Sequence, residues 1–200
     1  MEEILYDDLL GIKTEGFQKG FSSSNHYHRY EPTPYSALEK LFSEYKLYPT
    51  DQVVDFGCGK GRLLFYIHHY FHASVVGVEM NEYLYHEAVK NQMKYLKKYK
   101  KHQSRITFQN CIAEEYRIDQ LDNKFYFFNP FTIQIFMKMI RKILDSYEEN
   151  RREIDVVLYY ASEDYTYFLD NYTSFEFKKE IVLEGLPDPY ERFLVYRLCC

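Results

Sequence analysis

The sequence predicts an α/β fold: a doubly wound, mostly parallel seven-stranded sheet with helices on both faces and a C-terminal antiparallel hairpin. Three observations predict it. Short apolar runs rich in β-branched and aromatic residues alternate with longer segments of helical period. "VVDFGCGKGR" (53–62) sets a glycine-rich turn directly behind the first of those runs. The last two strand-like runs face each other across a Gly-Leu-Pro-Asp-Pro loop, with no helix between them. Strands alternating with helices imply a parallel sheet covered on both sides, and the closing pair is its antiparallel edge.

The elements follow in order. Met1 to His28 is polar, carries Gly11, Gly16, Gly20 and the run Ser22-Ser23-Ser24, and reads as a loose arm with one short helix. "EPTPYSALEKLFSEYKLY" is a helix, with Thr33 placed to cap, Pro34 in the first turn, and Leu38, Leu41, Phe42 and Tyr45 at helical spacing. "QVVDFG" is a strand, "RLLFYIHHYF" a helix, "SVVGVE" a second strand, and about Asn81 to Lys98 a long helix. "RITFQNCI" and "KFYFFNP" are the third and fourth strands, the latter leading into "TIQIFMKMIRKILDSYEE" as a helix. "IDVVLYYA" is the fifth strand and "SEDYTYFLDNY" a shorter helix; "SFEFKKEIVLEG" and "ERFLVYRLCC" make the hairpin.

Bulk properties bound the function. A chain of 200 residues suits one domain with a full core. A net charge of -5 argues against gripping nucleic acid through the overall field. The local exception is "KNQMKYLKKYKKHQSR" (90–105), read as a solvated helix face with cations near its negative pole, against an RNA- or acid-binding patch. Cys58, Cys111, Cys199 and Cys200 show no metal-type spacing and read as reduced thiols of a cytoplasmic protein. No apolar run is long enough to span a membrane, and "MEEILYDDLL" does not have the pattern of a secretion signal. His68, His69 and His72 share a helix at metal-like spacing but have no acidic partner nearby, so no metal is expected.

In a doubly wound sheet, ligands bind beyond the carboxyl ends of the strands where strand order reverses, and "DFGCGKG" falls there. A dinucleotide site usually reads GxGxxG. Here the spacing is GxGxG, with Asp55 two residues before Gly57. An acid there repels a pyrophosphate and welcomes an ammonium. The second strand ends in Glu79, about 20 residues past the turn, where a carboxylate can accept both ribose hydroxyls. Together these features describe a nucleoside with a cationic amino-acid tail and no phosphate, which is S-adenosylmethionine.

On these residues the chain, from about Asn25 onward, resembles the class I methyltransferases, including small bacterial members. The resemblance implies that Asp55, Gly57, Gly59 and Gly61 shape the methionine site and that Glu79 binds the ribose. Family members commonly place an acid after the third strand for the adenine amine. This chain has Ile112 there, followed by Ala113, so Ile112 is expected to pack on the adenine face, with Asn110 or Glu114 serving the amine. "FYFFNPF" looks like a variant of the (D/N)PP(Y/F) motif of nitrogen methyltransferases. It assigns Asn129 and the Pro130 carbonyl to a target amine and Phe131 to stacking; a protein lysine is a second target. The competing reading makes Asn129 a cap for the following helix.

The family also implies a lid, for which "NHYHRYEPTPY" supplies Tyr27, Tyr30 and Tyr35, with Tyr30 on the cofactor; His26 and His28 are candidate bases but are expected to be exposed. The division is then an arm and lid helix over 1–48 and the cofactor domain over 49–200. The acceptor is a small molecule, a protein or RNA. The rivals are an NAD(P)-dependent oxidoreductase, disfavoured by Asp55 and the spacing, and a non-catalytic module that binds the cofactor.

Overall fold

The computed structural model describes residues 2–16, 30–99, 105–183, 185 and 187–199. In chain order the elements are α1 (Glu2–Leu10), α2 (Tyr35–Glu44), β1 (Gln52–Phe56), α3 (Arg62–Phe71), β2 (Ser74–Val78), α4 (Glu82–Lys98), β3 (Ile106–Gln109), a single 3-10 turn (Ala113–Glu115), β4 (Lys124–Phe128), α5 (Ile133–Glu149), β5 (Ile154–Tyr159), α6 (Glu163–Tyr172), β6 (Glu176–Val182) and β7 (Arg192–Leu198). Among the described residues the strands form one seven-stranded sheet in the order β3-β2-β1-β4-β5-β7-β6. The first five are mutually parallel, and β7 runs antiparallel between β5 and β6. The expected fold class is therefore the observed one.

The sequence pattern explains the layering. Every residue of β1 and β5 is buried, as strands covered on both faces require. Alternate residues feed two cores. Val53 joins Leu63, Leu64, Ile67 and Leu38 under α1 to α4, while Val54 and Phe56 join Ile140, Ile143 and Phe168 under α5 and α6. Gly77 lets α3 sit close on β2, since a Cβ there would meet Cys58 Sγ at 2.6 Å and Leu64 at 2.7 Å. No helix among the described residues is long and apolar enough to cross a membrane.

Two expectations are corrected. Thr33 does not cap α2: its hydroxyl pairs with Tyr126 Oη at 2.8 Å, and Pro34 takes the cap position. The Tyr35 N–H is instead satisfied by Glu3 Oε1 at 2.9 Å, an acceptor from α1. Within the described residues the arm is not loose. Asp7 accepts the Thr14 N–H at 2.6 Å, the Thr14 hydroxyl at 2.8 Å and the Tyr35 hydroxyl at 2.7 Å, and fixes residues 7–14 in a buried polar knot. On the histidine helix, His68 is fully buried and its Nδ1 pairs with Tyr95 Oη at 2.9 Å. Lys98, within the basic run, donates to the Asp8 and Leu9 carbonyls at 3.0 and 2.8 Å, and so closes the C-terminal end of α1.

At the end of the strands away from the glycine turn, Asp155 is fully buried and accepts from Tyr45 at 2.7 Å, Lys124 at 2.8 Å and Arg197 at 2.7 and 2.9 Å. These partners hold its carboxyl below the usual range despite burial. A depressed carboxyl contributes stability above its unfolded value and loses it as pH falls through the folded one. Asp155→Asn should therefore lower stability by about 3 kcal/mol at neutral pH, because the buried Lys124 loses the nearer of its two carboxylates and keeps only Glu153 at 3.2 Å. The deficit should shrink below about pH 4 in chemical denaturation. A deficit that persists unchanged in acid would exclude this role.

Candidate functional site

The strand order turns back on itself between β1 and β4, and the loops that leave these two strands meet. A Cβ on Gly57 would lie 3.0 Å from Pro130 Cβ, so the glycine turn and the Asn-Pro loop touch across the crevice. Gly57, Gly59 and Gly61 have φ of 81°, 55° and 85°, in the left-handed region where a side chain is strained. That is the physical reason for three glycines at alternate positions.

The turn is wired to the end of β2. Gly57 N–H and Cys58 N–H both donate to the Val78 carbonyl, at 2.9 and 3.2 Å. Glu79 Oε2 accepts the Gly59 N–H at 2.9 Å, and its Oε1 accepts the Asn81 N–H at 2.8 Å. The end of β3 joins the assembly. Glu79 N–H donates to Gln109 O at 3.0 Å, and Asn110 Nδ2 donates to Glu79 O at 2.8 Å and Met80 O at 3.3 Å. The Asn110 amide thus clamps the strand ends, which leaves its oxygen for any ligand. Glu114 has Lys138 Nζ at 3.6 Å.

The electrostatics are divided by sign. Asp55 faces Tyr126 across the β1–β4 pair and is 5 % exposed. Among the described residues no donor reaches its carboxylate, and burial, then the Glu79 charge, pushes its carboxyl up to about 8. Burial also raises the Glu79 carboxyl, against the pull of N–H donors from Asn81, Gly59 and Met80. Burial raises the Cys58 thiol, so that cysteine is no nucleophile. On the other flank of the turn, Lys60 and Arg62 are buried cations. An unpartnered acid on one side and cations on the other fit a zwitterionic amino-acid group.

The remaining expected residues are distributed as follows. Ile112 is 37 % exposed and Ala113 is buried, just past β3. Met80, missed in the sequence, is 40 % exposed just past the adjacent β2, and with Ile112 gives that corner an apolar surface. The signal for it was available: a large apolar residue directly after the acid. Tyr30 lies against the turn, since a Cβ on Gly59 would meet its ring at 2.0 Å. Asn129 has φ +39° at the end of β4, and Tyr160 has φ +52° at the matching end of β5, two strained backbones side by side.

Asn129 does not cap α5, because that position belongs to Thr132. Phe131, expected to stack on a substrate, is 1 % exposed and packs edge-on against Phe127, so its ring is part of the core. Tyr35 is likewise fully buried. His26, Tyr27 and His28 lie outside the described residues.

A family model described as a methyltransferase domain matches residues 34–158. A search of curated proteins gave no match. Among solved structures, an RNA methyltransferase from Salinibacter ruber in complex with S-adenosyl-L-homocysteine is similar with a TM-score of 0.57 and 21% identity, over 84% of this chain and 92% of that one. A human methyltransferase 10 domain containing protein gives 0.63 at 10% identity, over 99% and 94%. P. horikoshii TYW2 in complex with MeSAdo gives 0.53 at 16% identity, over 98% and 80%. At these identities the structural likeness establishes the fold.

The isolated Asp55 carboxyl makes a prediction for the ligand-free protein. A carboxyl raised on folding favours the folded state below its unfolded value of about 3.9, and that contribution is lost as pH rises toward the folded value. Asp55→Asn should therefore melt higher than the parent, by a margin that widens from about pH 4 to about pH 8 and then levels. A margin that is flat across this range would mean that Asp55 is paired in solution.

Proposed function

Since the chain belongs to the methyltransferase-domain family, and so uses S-adenosylmethionine, we propose that the donor lies on the glycine turn and that the loop after β4 presents an acceptor nitrogen. The observation that carries this reading is the contact between Gly57 and Pro130, which joins a donor-type loop to an acceptor-type loop at the point where strand order reverses. Asp55 would face the ammonium and the sulfonium side of the donor. Glu79 would accept the ribose hydroxyls while it keeps its bonds to Gly59 and Asn81. Ile112 and Met80 would cover the adenine, with Ala113 at its edge.

Bound S-adenosylmethionine supplies an activated methyl group, which an in-line lone pair takes from sulfur as the C–S electrons return to that sulfur. The residues of the chain have correspondingly little chemistry to do, and their contribution is alignment and exclusion of water. The Asn129 side-chain oxygen and the Pro130 carbonyl would accept the N–H bonds of the acceptor, which turns the nitrogen lone pair toward the methyl. The strained backbone of Asn129 supports this role, because an unfavourable φ persists only where the surroundings hold it.

The acceptor has two readings. Tyr160 donates to Asp188 at 2.5 Å and Tyr159 donates to Glu191, so carboxylates line the rim beside Asn129 and favour an amine on a protein or small molecule over a phosphate backbone. The likeness to an RNA methyltransferase favours RNA. Labelled methyl transfer into cell extract, followed by ribonuclease or protease digestion, separates them.

Two measurements test the core of the proposal. S-adenosylhomocysteine should raise the melting temperature, since a ligand that binds only the folded state stabilises it by mass action. No shift at millimolar ligand would remove the reading. Asn129→Ala should lower turnover by about two orders of magnitude or more, because alignment supplies much of the rate, and leave S-adenosylhomocysteine affinity within about threefold. Full turnover in that variant would defeat the catalytic assignment and leave the donor site standing.

A further inference from the structure

Directly after the glycine turn two cations are buried, Lys60 at 5 % and Arg62 at 4 % exposure. Arg62 begins α3, where the first N–H groups of the helix add positive potential. One side of its guanidinium is fully engaged. Nε donates to Thr14 Oγ1 at 2.7 Å, and Nη1 donates to Glu3 and, at 3.3 Å, to the Thr33 carbonyl. The Tyr35 ring lies 4.5 Å from Cζ. The other side is not engaged: Nη2 is buried and has no partner among the described residues. Buried N–H groups of a charged side chain are rarely left unsatisfied, so an acceptor belongs there.

The Tyr30 hydroxyl reaches the same ground. It donates to the Thr14 carbonyl at 2.7 Å, on the residue whose hydroxyl holds Arg62 Nε. It accepts the Lys60 N–H and sits within reach of the Arg62 charge. With that bond every N–H of the turn is used internally, since Gly57 and Cys58 serve Val78, Gly59 serves Glu79, and Gly61 serves Cys58 at 2.9 Å. The Tyr30 ring meanwhile covers the bare Cα of Gly59.

We propose that Arg62 and the Lys60 N–H form a subsite for the α-carboxylate of the donor's methionine, and that the Tyr30 hydroxyl fills it in the donor-free protein, so that Tyr30 and the donor compete. The inference rests on the donor reading above. A phenol brings one neutral oxygen and leaves Nη2 without a partner. A carboxylate brings two charged oxygens that match the planar fork of a guanidinium. Asp55, on the opposite flank, suits the ammonium on the same carbon. The glycine between them is the surface that Tyr30 covers and that an amino-acid group needs.

The test is calorimetry on the full chain with three probes: S-adenosylhomocysteine, its decarboxylated analogue, and 5′-methylthioadenosine, which lacks the amino-acid tail. In the parent protein the decarboxylated analogue should bind at least about tenfold more weakly than S-adenosylhomocysteine, the range for a charge-assisted pair. Tyr30→Phe should tighten S-adenosylhomocysteine by about threefold or more and leave 5′-methylthioadenosine unchanged. Tyr30→Ala, which also uncovers Gly59, should tighten it further. Weaker or unchanged S-adenosylhomocysteine binding in both variants would overturn the proposal and make Tyr30 a covering contact. Equal affinity of the parent for the acid and its decarboxylated analogue would overturn it without any variant. Binding of 5′-methylthioadenosine alongside either failure leaves the donor reading intact, whereas no binding of any probe removes both.

Discussion

The bond from Gly59 N–H to the Glu79 carboxylate is the constraint on which the site depends. A turn of three left-handed glycines has many conformations available, and bare backbone loses more freedom on ordering than any other. Glu79 removes that freedom at the middle glycine, while the Val78 carbonyl fixes the two residues before it. The end of β2 is thereby the template for the turn. Because Gln109 and Asn110 hold the same strand end, three parallel strands present their carboxyl ends as one rigid edge. The acid proposed for the ribose is thus also the strut of the loop beside it, which explains why it stays buried at a position where burial raises its carboxyl.

The opposite flank is built on a different compromise. Arg62, Glu3, Asp7, Thr14 and Thr33 form a polar cluster at a position where an apolar helix start would pack more simply. Buried ionic groups of this kind add little net stability compared with apolar replacements. Their effect is positional: α1, the chain through Thr14 and the approach to α2 are held against the first turn of α3. The region reads as an arm in sequence and is packed against the start of α3 in the structure.

Much of the fold was legible in the sequence because it is written in periodicity. All seven strands, the order of helices and the closing hairpin follow from apolar runs and turn residues, and α3 has the bounds expected of it. Within the candidate site, what was legible of Asp55, Glu79 and the glycines is their local state, because positive φ and buried charge restrict residue type sharply. Phe131 was not, since an aromatic one place from Pro130 reads the same whether it turns outward or into the core, and only packing against Phe127 decides. Thr33 failed for a related reason. A capping hydroxyl and a hydroxyl bonded to Tyr126 have the same sequence signature, and the partner lies 93 residues away. The Arg62 cluster draws on four separate segments, and no local pattern records such a meeting.

The place of β7 has a consequence for synthesis of the chain. Strands β1 to β5 emerge from the ribosome in order, and each of β2 to β5 pairs with a strand already made, while the far side of β5 awaits a strand still to come. β7 supplies it, pairing Ile154 with Leu198 and Tyr159 with Phe193. Arg197, on the same late strand, is also the cation that completes the charge balance around Asp155. A nascent chain that has exposed β5 therefore carries an open sheet edge and a carboxylate with two of its four hydrogen bonds. Vectorial translation leaves the sheet unfinished until β7 appears, so β5 keeps an open edge, a surface prone to wrong pairing, until synthesis has passed Arg192–Leu198.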